Sequence, residues 1–327
     1  MKIVVLRSTA VAIFVALVVL AAGQSAMAQN YPSKPVRFIV PFLPGAGTDI
    51  TARTIAKKLT ETWGQQVIVD NRPGAAGAIG VDITSQANPD GYTICLISAS
   101  HTVNAATNPR LPYNLEKDLH PIAQATSLFY VMAVNPSVPV KSVKDLIAHA
   151  RANPGKLNFG SSGTGGLQHF AGEMFAHLAG VRIVHVPFKG GAASIRAGIA
   201  GETQIVFSTL LGTRPHIQAG RLRALGITAA RRAPAAPELP ALAEAGVPGY
   251  EVDQWYGVIT SAKVPRALVD TLSRAIGTAL RAPDVVQRLA ADGSTAVGSS
   301  PAQFGAHIKS EIAKWRKLVN EAKLELR

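Results

Sequence analysis

Val36-Arg-Phe-Ile-Val40 runs into Pro41-Phe-Leu-Pro-Gly-Ala-Gly47 and then into a polar–apolar stretch that ends at Trp63. The first five residues are mostly apolar and β-branched, the composition of a short buried strand. Proline and glycine at 41–47 break it. Thr48 or Asp49 then stands where a helix needs an N-cap, and Ala52, Ile55, Ala56, Leu59 and Trp63 recur on one helical face. Gly64 supplies the stop. Strand, glycine loop and helix form the repeating unit of a parallel sheet, because parallel neighbours need a crossover and the helix provides it.

The unit recurs outward from there. Gln66–Asp70 reads as a strand, Asn71–Gly74 as a loop, 78–87 as a helix stopped by Asn88-Pro-Asp-Gly91, and Tyr92–Ile97 as a third strand. A second series starts with a strand at Leu128–Val134. A helix capped by Ser142 follows, then strands at 156–160 and 182–186 with helices after each, and further strands at 204–207 and 222–228. Residues 231–249 are rich in proline and alanine and are expected to be irregular, with one short helix. Trp255–Thr260 is a strand. Leu268, Leu272, Ile276 and Leu280 mark one helical face, and Phe304, Ile308, Ile312, Trp315, Val319 and Ala322 mark another. This last stripe is expected to pack on the first series. The fold class is α/β. Two lobes, each a mostly parallel sheet flanked by helices, are expected at 29–130 plus 252–327 and at 131–251, with a cleft between them.

Composition narrows the function. The 327 residues are 47% hydrophobic and 16% charged, which excludes a disordered tail, a coiled coil or a collagen-like repeat. A formal charge of +13 favours an anionic partner and says nothing about fold. Lys2 and Arg7, the apolar run 8–22 and Ala26-Met-Ala28 make the three-part pattern of a secretory signal peptide over 1–28, cleaved near Ala28. The expected address is the periplasm, as a soluble monomer. That compartment lacks nucleotide cofactors, and none is expected. One cysteine, Cys95, excludes a disulfide scaffold; in Tyr92-Thr-Ile-Cys-Leu-Ile97 it reads as a small buried hydrophobe.

The loops that follow strands carry the chemistry. They are Phe42–Asp49, Asn71–Gly77 and Ser98-Ala-Ser-His-Thr102 in the first series, and Gly160–Gly166 and Pro187–Gly191 in the second. In a parallel α/β sheet such loops share the carboxyl edge of the strands, where ligands bind. Glycines admit close backbone approach, free N–H groups at helix starts attract anions, and Ser and Thr add adaptable donors. This inventory suits a carboxylate held mainly by neutral groups. Several residues keep two readings. Asp49 is a helix cap or a ligand contact, and Lys189 a carboxylate partner or a surface lysine. His101 and His169 face the cleft or pack. Trp255 and Tyr256 stack on a ligand or fill the hinge core.

The sequence also resembles a known family along its whole length after residue 28. Tyr31–Asp49, Val69-Asp-Asn-Arg-Pro-Gly74, Pro89-Asp-Gly-Tyr92, Phe159–His169, Val186-Pro-Phe-Lys-Gly190, Pro215–Leu225 and Ala245–Glu251 are similar, in order, to the Bug (Bordetella uptake gene) solute-binding receptors of tripartite tricarboxylate transporters. The resemblance implies a two-lobed type II periplasmic-binding fold and capture of a small organic carboxylate, partly through ordered water, for delivery to membrane permease subunits. Carried over, it places Phe42, Gly45, Ala46, Gly47 and Asp49 on the first-lobe side and Ser162, Thr164, Gly165 and His169 on the second. Ser100, His101, Lys189 and Ser208 complete the expected site. Ala46 stands where the family often has the middle one of three consecutive glycines, Gly166 where serine is common, Phe188 for tyrosine and Ser208 for aspartate. The last change removes a counter-charge for a ligand ammonium and favours a simple carboxylate over an amino acid.

Other classes fare worse. Gly45-Ala-Gly47 lacks the third glycine of a dinucleotide fingerprint, since Ile50 stands there. No phosphate-binding P-loop occurs, and no metal-ligand spacing among the 8 histidines. The basic charge comes without the motifs of a nucleic-acid binder. A secreted hydrolase using Ser162 and His169, and a receptor feeding a signalling partner, remain as alternatives.

Overall fold

The computed structural model describes residues 31–45, 47–188, 190–291 and 293–322. The expected signal peptide, Ala46 and Lys189 lie outside them. In chain order the elements are β1 (Val36–Val40), α1 (Gly47–Trp63), β2 (Val67–Asn71), α2 (Ala78–Ser85), β3 (Thr93–Ser98), α3 (Ala99–Thr107) and β4 (Leu119–Val134). Next come α4 (Val143–Ala152), β5 (Asn158–Ser161), α5 (Leu167–Ala179), β6 (Val184–Pro187), α6 (Gly191–Ala200), β7 (Ile205–Thr209), α7 (Leu210–Gln218) and β8 (Arg223–Ile227). The chain closes with β9 (Asp253–Ser261), α8 (Arg266–Arg281), α9 (Pro283–Ala291), β10 (Thr295–Ala296) and α10 (Pro301–Ala322).

The strands form one curled sheet in the order β2-β1-β3-β9-β4-β7-β5-β6, with β8 and β10 also pairing with β4. β2, β1 and β3 are mutually parallel, as are β6, β5 and β7. Each trio ends on an antiparallel neighbour, β9 for the first and β4 for the second. β4 therefore serves both halves. Its Leu119–Phe129 segment pairs with β9, and from Tyr130 onward it pairs with β7.

The chain passes between the halves twice, at Phe129–Tyr130 and at Val252–Asp253, and Thr228 joins the two passages. Its Oγ1 accepts the Tyr130 N–H (2.8 Å) and donates to the Val252 carbonyl (2.7 Å). Its own N–H donates to the Tyr130 carbonyl, and its carbonyl accepts the Val252 N–H, each at 2.9 Å.

The apolar pattern explains the packing. Phe38 and Val40 point to one side of β1, where Ile55 and Leu59 of α1 and Leu272 and Ile276 of α8 cover them. Ile39 points to the other side, into a core that continues through Trp255, Phe304 and Trp315 to Phe170, Phe159 and Phe207 of the second half. α10 crosses this core. Its Phe304 packs edge-on against Trp255 (5.4 Å between centroids), and its Trp315 against Phe170 of α5 (5.7 Å). Its stripe thus packs on both halves, not on the first alone, because the tail of the helix runs past the crossover.

Other expectations also change. Ser98-Ala-Ser-His-Thr102 is not a loop: α3 begins at Ala99, directly after β3, because Ser98 and His101 cap it and no glycine or proline intervenes. No helix forms within 231–249, where prolines punctuate a series of turns. β4 starts nine residues earlier than the apolar run, since Pro121, Gln124 and Thr126 disguise a strand that is irregular at those points. α7 forms despite Pro215. Cys95 is fully buried in β3, as expected, and burial pushes its thiol up to about 12.

Thr228→Val keeps the shape and deletes one donor and one acceptor at the crossover. Leaving the Tyr130 N–H and Val252 carbonyl without those bonds is expected to cost about 1–3 kcal/mol in urea unfolding. Thr228→Ser, which keeps the hydroxyl, is expected to retain most of the stability.

Candidate ligand-binding site

The carboxyl ends of β1 and β3 open into the loop 41–45 and into α3, and those of β5, β6 and β7 into 162–166, Phe188 and α7. These two edges face each other. The Leu167 N–H at the start of α5 donates to Ser100 Oγ at the start of α3 (3.4 Å). A β carbon on Gly165 would lie 3.8 Å from Asn104 Oδ1. Five helices, α1, α3, α5, α6 and α7, therefore begin along the same seam. Their dipoles, and the first-turn N–H groups that the caps of α3 and α7 leave unpaired, make it attractive to an anion. α5 and α6 follow Gly166 and Gly190, neither of which offers a side-chain cap.

The first wall is braced from within. Asp49 is 3% exposed and accepts from the Gly45 N–H (3.0 Å), Arg53 Nε (2.9 Å) and Asn71 Nδ2 (3.0 Å). Burial alone would raise its pKa, but bonds from Arg53, Gly45 and Asn71 outweigh that and hold it below 3.8. Both carboxylate oxygens thus organise the loop. Asn71 also donates to the Phe42 carbonyl (3.0 Å), and Gly45 takes φ +83, which a larger residue resists. Gly47 opens α1 beneath Tyr256, whose phenol oxygen would lie 2.6 Å from a β carbon there. Trp255 is wholly buried, whereas Tyr256 brings its hydroxyl to the loop. His101 is fully buried; its Nδ1 accepts the Ser98 N–H (3.0 Å), and its ring meets Phe42 edge-on (5.5 Å). Burial lowers His101 to about 4, so at neutral pH it is an uncharged brace.

The second wall is a glycine loop on a histidine stack. Gly163 and Gly165 take φ +138 and +78. Ser161 Oγ accepts the Gly163 N–H (3.1 Å) and pairs with His185 Nε2 (2.6 Å). His169 accepts the Gly165 N–H through Nδ1 (3.3 Å), lies 3.5 Å from Glu173 through Nε2, and stacks on His185 at 3.8 Å. Burial first, and the neighbouring His169 second, lower His185 to about 4. Ser162 and Thr164 stand exposed at the loop tip, and the Ser162 carbonyl accepts the Gly190 N–H (3.2 Å). Ser208 is buried at the end of β7, where Gln168 Nε2 donates to its hydroxyl (3.4 Å).

The edge brings together Phe42, Gly45, Gly47, Asp49, Ser100 and His101 on one wall and Ser162, Thr164, Gly165, His169 and Ser208 on the other. Sequence reasoning passed over Gln168, Ser161 and His185. Gln168 had one signal, its place in the first turn after a glycine loop. The hydrolase pairing does not form: no hydrogen bond joins Ser162 to His169. Ser161, which meets His185, and Ser98, which meets His101, are both buried, unlike an attacking nucleophile. Among the described residues no group of three or more His, Cys, Asp or Glu is placed to hold a metal ion. A cavity of about 400 Å³ lies elsewhere, between the turn at 108–118 and α10, away from these helix starts.

A curled sheet with two parallel trios, antiparallel neighbours and a ligand edge between them defines the periplasmic-binding-protein class. A family model described as "Tripartite tricarboxylate transporter family receptor" matches residues 51–324. The chain belongs to that family, within which it is similar to the Bug proteins. It is 34% identical over 319 residues to BugT of Bordetella pertussis, covering 97% of each chain. The Rhodopseudomonas palustris protein Rpa4515, solved with adipate, is 34% identical, with a TM-score of 0.83 over 90% of this chain and 98% of that one. MatC from the same species, solved with bound malate, is 27% identical, with a TM-score of 0.79 over 88% and 100%. No helix among the described residues is long and apolar enough to cross a membrane.

The histidines give the fold an acid limb. His101 and His185 move from 6.5 to about 4 on folding, so below pH 6.5 the unfolded chain takes up their protons first. Their contribution to stability is complete above pH 6.5 and is lost as the pH falls toward 4. Asp253 acts oppositely: burial, then Glu251, raises it to about 6, so it disfavours folding as the pH rises from 3.8 to 6. Urea titrations at pH 7 and pH 4.5 are expected to show a net loss at the lower pH, and His185→Gln is expected to shrink that loss.

Proposed function

We propose that this protein is an exported receptor that captures a small organic carboxylate between its two halves and hands it to the permease subunits of a tripartite tricarboxylate-type transporter. The observation that carries the reading is the meeting of helix starts from both halves along one seam, with Ser100 and Leu167 in direct contact. Family membership supports it, and the relatives solved with adipate and malate make a carboxylate the natural guest. The two lobes are residues 29–130 plus 252–327 and residues 131–251. The mature protein begins after Ala28, works in the periplasm as a monomer, and catalyses no reaction.

The first lobe offers the amides of Gly45 and Gly47 and the start of α1. The second offers the Ser162–Gly166 loop and Ser208. Ordered water completes the shell around the carboxylate, and Lys189 supplies positive charge to it. A ligand touching both walls makes more contacts when the lobes are shut than when they are apart. That difference shifts the population toward the closed form, which the permease reads. Motion is confined to the two passages joined by Thr228.

Titration calorimetry against mono-, di- and tricarboxylates is the test. At least one acid is expected to bind with 1:1 stoichiometry; a folded protein that binds none of them is not this receptor. Gly47→Val drives a side chain into Tyr256 and the carboxylate loop. It is expected to weaken binding by about tenfold or more, with the circular dichroism spectrum unchanged. Undiminished affinity would place the site away from 45–47.

A further inference from the structure

At the deep end of the second wall Ser208, one of the groups offered to the guest, pairs with Gln168, to which the proposed carboxylate grip gives no task. Gln168 is 5% exposed and Ser208 4%. Gln168 Nε2 reaches Ser208 Oγ at 3.4 Å, a long bond, and its Oε1 is buried with no partner among the described residues. The two side chains come from different elements, the first turn of α5 and the end of β7. Gly191, the first residue of α6, faces them: a β carbon there would lie 3.4 Å from Gln168 Nε2, 3.8 Å from its Oε1 and 4.0 Å from Ser208 Oγ. A β carbon at 191 would stand in contact with both groups, and the glycine keeps that flank of the pair free of any side chain. Among the described residues no charged side chain hydrogen-bonds to either group.

We propose that Gln168 and Ser208 are specificity residues that select a carboxylic acid bearing an uncharged hydroxyl. The inference rests on the carboxylate-receptor reading and narrows its substrate class. A buried amide oxygen without a donor is costly, and a ligand that supplies one removes that cost. A methylene at this point supplies nothing. A second carboxylate only accepts, so it sets negative oxygen against Oε1. An ammonium donates, but it meets the uncapped start of α6 without a counter-charge. A hydroxyl donates to Gln168 Oε1 and accepts from Ser208 or a first-turn N–H of α6. It satisfies the pair with Nε2 on Ser208 and Oε1 toward the guest, the orientation in which a carboxylate is refused.

Matched acids separate these cases: propionate against lactate, succinate against malate, tricarballylate against citrate, with alanine and aspartate as the ammonium analogues. Calorimetry on the full mature chain is expected to show, in whichever pair binds, the hydroxy acid at least about tenfold tighter than its unsubstituted partner, the loss of one neutral hydrogen bond. Gln168→Leu is expected to bring the two within about twofold while leaving the unsubstituted acid's affinity in place. Ser208→Ala moves the ratio the same way and carries the test if Gln168→Leu fails to fold, as judged by circular dichroism and melting. Gln168→Glu installs the missing counter-charge and is expected to raise the affinity of the ammonium analogue. Equal affinities within every binding pair of the unmodified protein, or a preference that survives both neutral substitutions, overturns the assignment of these two residues and leaves the receptor reading standing. Failure of all the acids to bind folded protein removes the receptor reading, and this inference with it.

Discussion

β4 is shared by both halves of the sheet, and the rest of the molecule follows from that sharing. One strand serves as neighbour to β9 along its first two-thirds and to β7 along its last third. The two parallel trios are thereby tied to a common backbone. Their carboxyl edges, with the helices that begin there, come to oppose one another across the turn in the sheet. Hydrogen bonding fixes this arrangement before any side chain in the site is considered. Thr228 then ties the outgoing and returning passages together, so the join is a short hydrogen-bonded splice, not two loose linkers.

The facing edges work through neutral groups. Asp49, which by charge would repel an anion, is occupied by Gly45, Arg53 and Asn71. His101 and His185 are held uncharged by burial. What the walls present to the gap is mainly peptide N–H, hydroxyl and amide. Such groups discriminate by number and direction of hydrogen bonds, so a few positions such as Gln168 and Ser208 can tune the guest without altering the frame.

Much of this was legible in the amino-acid sequence, where local chemistry and final structure agree. The β1–α1 unit could be read because proline and glycine mark its break and the apolar spacing changes period at Thr48. Cys95 could be placed in a buried strand for the same reason. The long first part of β4 could not, because an antiparallel strand with irregular pairing tolerates Pro121 and Gln124, whose signals are those of a loop. α3 was hidden by its own cap: Ser98 and His101 resemble turn residues when their bonds to each other are not seen. Within the site, the glycine loops announced themselves, whereas the Ser161–His185–His169 stack joins residues that only the parallel pairing of β5 with β6 brings together. Gln168 was missed because a glutamine in a first helical turn is ordinary until Ser208 and Gly191 are known to face it.

Cys95 has a practical consequence. It is the chain's sole sulfhydryl, it is sealed inside β3, and its lowered acidity leaves almost no thiolate at neutral pH. Maleimide dyes or nitroxide spin labels will therefore ignore the unmodified molecule. Two cysteines introduced on opposite rims would be tagged against a silent background, and the gap between them could be followed molecule by molecule as ligand arrives.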